Sequence, residues 1–179
     1  EKLNNLQKKH PHFLSLRHFI KSFINEVENI DIKKNNAAEQ LISFIENYKS
    51  EWENVAEDIG KEIIKNLDLN NKKILLHSNS MTVFSVMKYL EEKTEKLGIF
   101  QTASAPLNEG RLQAEKLAGL GYKVNYITEA SVGKFMDQID YVFLGADTIF
   151  PDKFLNKTGS LQIALTAKHY NKDVFVTSD

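Results

Sequence analysis

Lys73-Ile74-Leu75-Leu76-His77-Ser78-Asn79-Ser80 is a short apolar run that gives way to a cluster of turn formers, and helical spacing then takes over from Met81 to Lys96. The same unit recurs downstream. Further strands are predicted at Gly98 to Thr102, Lys123 to Thr128, Tyr141 to Gly145 and Asp173 to Thr177, after a first at Lys73 to His77. Helices are predicted between them at Asn108 to Leu120, Ser131 to Met136 and Gly159 to Tyr170. This alternation implies an α/β fold, a Rossmann-like parallel sheet with helices on both faces joined by right-handed crossovers. In such a sheet ligands bind outside the carboxyl ends of the strands, so function is expected just after residues 77, 102, 128 and 145.

Upstream of this pattern the apolar residues keep helical spacing. Phe13, Leu16, Phe19, Ile20, Phe23, Ile24 and Val27 form one stripe, and Leu41, Ile42, Phe44, Ile45 and Tyr48 form another. The polar stretch Lys33-Lys34-Asn35-Asn36 is the natural break between them, and a third helix is predicted over Trp52 to Asn66. The expected organisation is an N-terminal helical region over residues 1–71 and a sheet domain over residues 72–179.

Composition narrows the chemistry. The 179 residues contain no cysteine, which removes disulfides, thiolate zinc sites and a cysteine nucleophile. With a formal net charge of -1 and interspersed signs, there is no general electrostatic signal for nucleic acid. No apolar stretch approaches the roughly 20 residues of a membrane-spanning helix, and the polar start from Glu1 to His12 lacks the apolar region of a signal peptide. A cytoplasmic protein with neither metal nor cofactor is expected.

At the carboxyl edge each segment carries two readings. Ser78 or Ser80 can cap the following helix, or free amides there can meet an anion. His77 reads as a half-buried strand residue. Arg111 suits either a phosphate or a solvated helix face. Gly145-Ala146-Asp147 places a carboxylate at the mouth of the sheet, where an aspartate capping the next turn competes as an explanation. Asn156-Lys157-Thr158-Gly159-Ser160 gathers amides, hydroxyls and an ammonium, fitting a phosphate or an ordinary helix cap.

In order and spacing, these segments resemble the superfamily that joins the alpha, beta and delta subunits of translation initiation factor 2B to methylthioribose phosphate isomerase and ribose bisphosphate isomerase. The resemblance runs from Ile74 to Thr177. It is carried by Asn108-Glu109-Gly110-Arg111, by Glu129-Ala130-Ser131-Val132-Gly133 with Met136, by Gly145-Ala146-Asp147, and by Asn156-Lys157 followed by Gly159. It implies a helical N-terminal domain, a Rossmann-like C-terminal domain and dimerisation through the latter. The family's isomerases move a carbonyl from the first to the second carbon of an aldose phosphate, using a cysteine after the first strand and the aspartate of Gly-Ala-Asp. Asp147 matches that aspartate, and Ser78 stands at the cysteine position.

Three departures point away from isomerase chemistry. A serine hydroxyl is a far weaker acid than a thiol, whose reference pKa is about 8.5. Ala103-Ser104-Ala105-Pro106 stands where the isomerases carry Glu-x-Arg-Pro, so the arginine is absent. Their N-terminal Arg-Gly-Ala phosphate segment is missing as well. Relatives continue beyond the position of Thr177 with another strand, and the chain begins at Glu1 rather than methionine; either a short family variant or an incomplete chain fits this. The resulting expectation is an oligomerising, non-catalytic protein of the initiation-factor type that binds a phosphorylated sugar or nucleotide. Arg111 and Lys157 would meet phosphate, Asp147 and Asn156 sugar hydroxyls, and the Ser78-Asn79 turn would add hydrogen bonds. The alternative is an aldose-ketose phosphosugar isomerase using Asp147 with Ser78 or His77.

Overall fold

The computed structural model describes residues 14–30 and 36–178. The expected break at Lys33, Lys34 and Asn35 lies outside the described residues. Packing divides the chain between Asn54 and Val55.

In the first unit, α1 (Leu14–Asn29) and α2 (Ala37–Glu53) pair through their aromatic stripes. The Phe19 and Tyr48 rings lie 5.1 Å apart edge to face, and Phe23 lies 6.1 Å from Phe44. Residue numbers rising on one helix meet numbers falling on the other, so the two run antiparallel.

The second unit opens with α3 (Val55–Asn66), which begins three residues later than the predicted third helix because α2 runs on to Glu53. Its Ile59 and Ile63 pack on the core of the sheet, so the packing boundary precedes the change in sequence pattern at Lys72. Five parallel strands follow: β1 (Lys73–Leu76), β2 (Gly98–Thr102), β3 (Lys123–Ile127), β4 (Tyr141–Gly145) and β7 (Asp173–Thr177). Their order is β3-β2-β1-β4-β7. A separate antiparallel ribbon, β5 (Thr148–Ile149) with β6 (Phe154–Leu155), projects after β4 and has no counterpart in the sequence reading.

Central strands of a parallel sheet are buried on both faces, which explains the unbroken apolar runs. Alternation sends Ile74, Leu76, Ile99 and Phe143 to one face, under α3, α4 (Met81–Glu91) and α5 (Gly110–Gly119). Leu75, Phe100, Val142 and Leu144 go to the other, under the short α6 (Val132–Phe135) and under α7 (Ser160–His169). α4 stops at Glu91 rather than at Lys96, because Leu90 is its last buried side chain and the polar residues beyond it form a turn, with Lys96 left-handed at φ 53°. The segment predicted as one helix over Ser131 to Met136 is α6 flanked by 3-10 turns at Glu129–Ser131 and Met136–Gln138. Among the described residues no helix is long and apolar enough to cross a membrane.

The chain runs outward from β1 to β3 on one side, then restarts beside β1 at β4. The carboxyl ends of β1 and β4 therefore flank the switch point of the sheet, where α/β folds bind ligands. Ser78 and Asp147 follow those two ends.

Candidate functional site at the carboxyl edge

His77, only 1% exposed, is the centre of the edge. Its Nε2 lies 3.0 Å from the Thr158 carbonyl, which can only accept, so Nε2 carries the proton and donates it. The Nδ1 atom of the neutral ring must then accept, and the Thr102 hydroxyl 2.6 Å away supplies that donor. Ser104 Oγ, 3.2 Å from Thr102 Oγ1, extends the chain, and the Ser78 amide donates to Ser104 Oγ at 2.8 Å. Burial holds the His77 pKa below its ordinary 6.5, against the opposing pull of the Thr158 carbonyl and the Glu129 carboxylate. The 4.0 Å approach of Glu129 Oε1 to Nδ1 is thus contact with a neutral ring rather than an ion pair.

One network ties four loops together. Glu129, after β3, accepts from the Ser104 amide after β2. Gly159, before α7, adopts φ 105°, and a Cβ there would sit 3.1 Å from His77 Cε1, so the loop lies directly on the ring only because this residue is glycine. Beneath, Gln113 Oε1 accepts from the Ser80 amide at 2.8 Å and Gln113 Nε2 donates to Gln101 Oε1 at 3.2 Å. Ser78, Ser104 and Asn108 are left-handed without being glycine, at φ 71°, 65° and 54°. Such outliers persist only where neighbours over-determine them, and they concentrate at functional sites.

The residues singled out from sequence divide into two groups. Ser78 Oγ donates to Glu109 Oε1 at 3.3 Å, and Lys157 Nζ lies 2.6 Å from the same oxygen, so Ser78 and Lys157 meet at Glu109. Asn79 lies beside this group in sequence, its Oδ1 buried without a donor. Asn156 Nδ2 donates to Ser160 Oγ at 2.9 Å, and that hydroxyl donates on to the Lys157 carbonyl, so Asn156 braces the turn into α7. Asp147 stays exposed, held through its backbone amide to the Leu155 carbonyl at 2.8 Å, and among the described residues its carboxylate has no partner. Arg111 is apart from all of these, on the solvent face of α5 in a 2.8 Å pair with Glu115. Ser80 caps α4, its Oγ accepting from the Val83 amide at 3.2 Å.

Sequence reasoning passed over Thr102, Ser104, Glu109, Gln113 and Glu129 as ligand-site residues and read His77 as a half-buried strand residue, or, in the isomerase alternative, as a partner of Asp147. Glu109 and Glu129 stood inside the segments that carried the resemblance; nothing local distinguished the two hydroxyl residues.

The fold and site define a parallel α/β sheet protein with a polar, carboxylate-rich edge at its switch point. The chain belongs to the initiation factor 2 subunit family, whose pattern it matches over residues 1–179. It is 33% identical over 158 residues to ribose 1,5-bisphosphate isomerase of Methanocaldococcus jannaschii, covering 88% of this chain and 49% of that protein. It is 28% identical over 107 residues to translation initiation factor eIF2B subunit alpha of Dictyostelium discoideum, 59% of this chain and 33% of the other. The chain therefore spans half or less of these relatives' lengths. The crystal structure of the eIF-2B delta subunit from A. fulgidus shares the fold at a TM-score of 0.81 and 22% identity, over 98% of this chain and 54% of that one. A tetrameric eIF2B beta-delta complex from C. thermophilum gives 0.71 at 18% identity, over 90% and 53%.

Proposed function

We propose that this protein is a non-catalytic, initiation-factor-2B-like binder of a phosphorylated sugar or nucleotide at the carboxyl edge of its sheet. The state of His77 carries this reading. An isomerase working with Asp147 needs a second group that gives and takes a proton. The only imidazole at this edge among the described residues is buried and neutral, with one nitrogen accepting from Thr102 and the other donating to Thr158. Ser78 is an alcohol already donating to Glu109. Asp147, Asn156 and Lys157 remain near the switch point as groups that can hold sugar hydroxyls and an anion.

Self-association belongs to the same proposal, with a second copy as partner. Ile149, Phe150 and Leu155 on the β5–β6 ribbon and Leu161 and Leu165 on α7 are exposed. One of the matched structures is a tetrameric complex of related subunits. The relatives named for translation and for sugar phosphate isomerisation support a cytoplasmic setting.

The isomerase reading is kept alive by one observation, the exposed Asp147 at the switch point in a chain 33% identical to a ribose 1,5-bisphosphate isomerase. Turnover and binding of ribose 1,5-bisphosphate separate the two. Binding without turnover is expected, and a saturating ligand at 100 times its Kd should stabilise the fold by about 2.7 kcal/mol. Asp147→Asn should weaken that binding. Robust turnover by the unmodified protein, abolished by Asp147→Asn, would overturn the binding reading.

A further inference from the structure

Two cations were expected to meet the ligand's phosphate, and each is held by a carboxylate of this same unit. Arg111 pairs with Glu115 on the solvent face, well away from use. Lys157 pairs with Glu109 at 2.6 Å, and here both side chains are largely covered, 17% and 24% exposed. The other named charges at this edge, Glu129 and Asp147, are also negative. A phosphate approaching the switch point would meet carboxylates and one ammonium already in use.

The Glu109 carboxylate is poorly satisfied where it lies. Oε1 accepts from Ser78 Oγ and holds Lys157, while Oε2 is buried with no donor at all. A carboxylate oxygen taken out of water without a hydrogen bond is destabilised. Moving the side chain outward would return that oxygen to solvent, so the pairing is one that a better anion can break. A phosphate monoester is such an anion, with more charge and more acceptor oxygens for Lys157 and the Ser78 hydroxyl.

We propose that Glu109 is an internal competitor for the ligand's phosphate: it holds Lys157 and Ser78 in the arrangement seen, and a phosphate monoester takes both by displacing it. This rests on the ligand-binding reading above and adds to it the group that the phosphate replaces. Glu109 then tunes affinity downward, so that only a ligand bringing an anion of its own occupies the edge well.

The test is isothermal titration calorimetry on the full chain at low ionic strength, with ribose 5-phosphate and inorganic phosphate as probes. Glu109→Gln keeps the shape and removes the competing charge; ribose 5-phosphate should bind it more tightly by on the order of tenfold, the scale of one largely desolvated charge pair. Glu109→Ala should shift affinity in the same direction, guarding against an effect peculiar to the amide. Lys157→Met should abolish binding in the parent and in the Glu109→Gln background. Unchanged or weaker binding by both Glu109 variants, with the parent still binding ribose 5-phosphate, overturns this inference and leaves the binding reading standing. No binding of either probe by parent or variants that retain the parent circular dichroism spectrum overturns both.

Discussion

Gly110 offers the sharpest test of how the edge is held. It begins α5 directly against the end of β2, and a Cβ placed on it would lie 1.9 Å from the Thr102 carbonyl oxygen, with the Ala103 carbonyl and Gln101 Nε2 both at 3.0 Å. The nearest atom is backbone and cannot rotate away. Gly110→Ala therefore has to push the start of α5 off the sheet by about 1.5 Å to reach ordinary contact. Overpacking of this kind costs about 1–3 kcal/mol. The 3.1 Å bond from the Gly110 amide to the Ala103 carbonyl is lost with it, roughly another 1 kcal/mol. Better helix propensity of alanine returns at most about 1 kcal/mol, so the clash wins and a net loss of about 1–3 kcal/mol is expected. With a urea slope of about 2 kcal/mol/M, the unfolding midpoint should fall by about 0.5–1.5 M, read by circular dichroism. Gly119→Ala in the same helix is the control, since nothing lies within 4 Å of its added methyl and propensity alone should stabilise it slightly. A Gly110→Ala midpoint within about 0.3 M of the parent would refute the close approach on which the placement of Glu109 and Gln113 depends.

The buried imidazole predicts a pH response. Its folded pKa lies below the ordinary 6.5, so between that lowered value and 6.5 the unfolded chain binds more protons; stability rises with pH across the window and is lost on acidification. His77→Gln should flatten this part of the curve, and a parent and variant with equal slopes between pH 5 and 7 would contradict the assignment. Tyr122→Phe removes the hydroxyl that donates to the Met87 carbonyl at 2.7 Å on the opposite face of the sheet; denaturant unfolding should show a loss of about 1 kcal/mol, and no loss would mean that the bond is replaced.

The fold was legible where burial on both faces leaves a sequence with no polar alternation. β1, β2 and β4 read directly as apolar runs, and three of the five predicted strands match their observed bounds, at Gly98–Thr102, Tyr141–Gly145 and Asp173–Thr177. β5 and β6 were missed because strands of two residues leave no period to detect. At the candidate site the position rule for parallel sheets drew attention to the loops that meet at the carboxyl edge, since it depends only on where strands end. It could not pair side chains. The bonds that join the loops through His77 span 25 positions to Thr102 and 81 to Thr158, and no local pattern encodes them. Arg111 was open to a better reading: Glu115 lies one helical turn on, a spacing that favours the solvent-face pair found here.

The same network bears on what this edge is built to do. A proton-moving site keeps at least one titratable group with a free nitrogen or oxygen facing the substrate, and its neighbours tune that group toward the working pH. Here the imidazole is turned inward, with both nitrogens committed and its charged form disfavoured, while the Thr102 and Ser104 hydroxyls orient one another beside it. That arrangement spends its hydrogen bonds on fixing the left-handed turns at Ser78 and Ser104, which position the Ser78 hydroxyl toward Glu109 and Lys157. Among the described residues the buried polar atoms with unmet capacity at this edge are Asn79 Oδ1, Glu109 Oε2 and Thr148 Oγ1, none of them a base placed against a proton donor, while Asp147 stays exposed with its carboxylate unpartnered. On the reading proposed above, the movement of the Glu109 carboxylate off Lys157 is what would let this edge hold and release an anion.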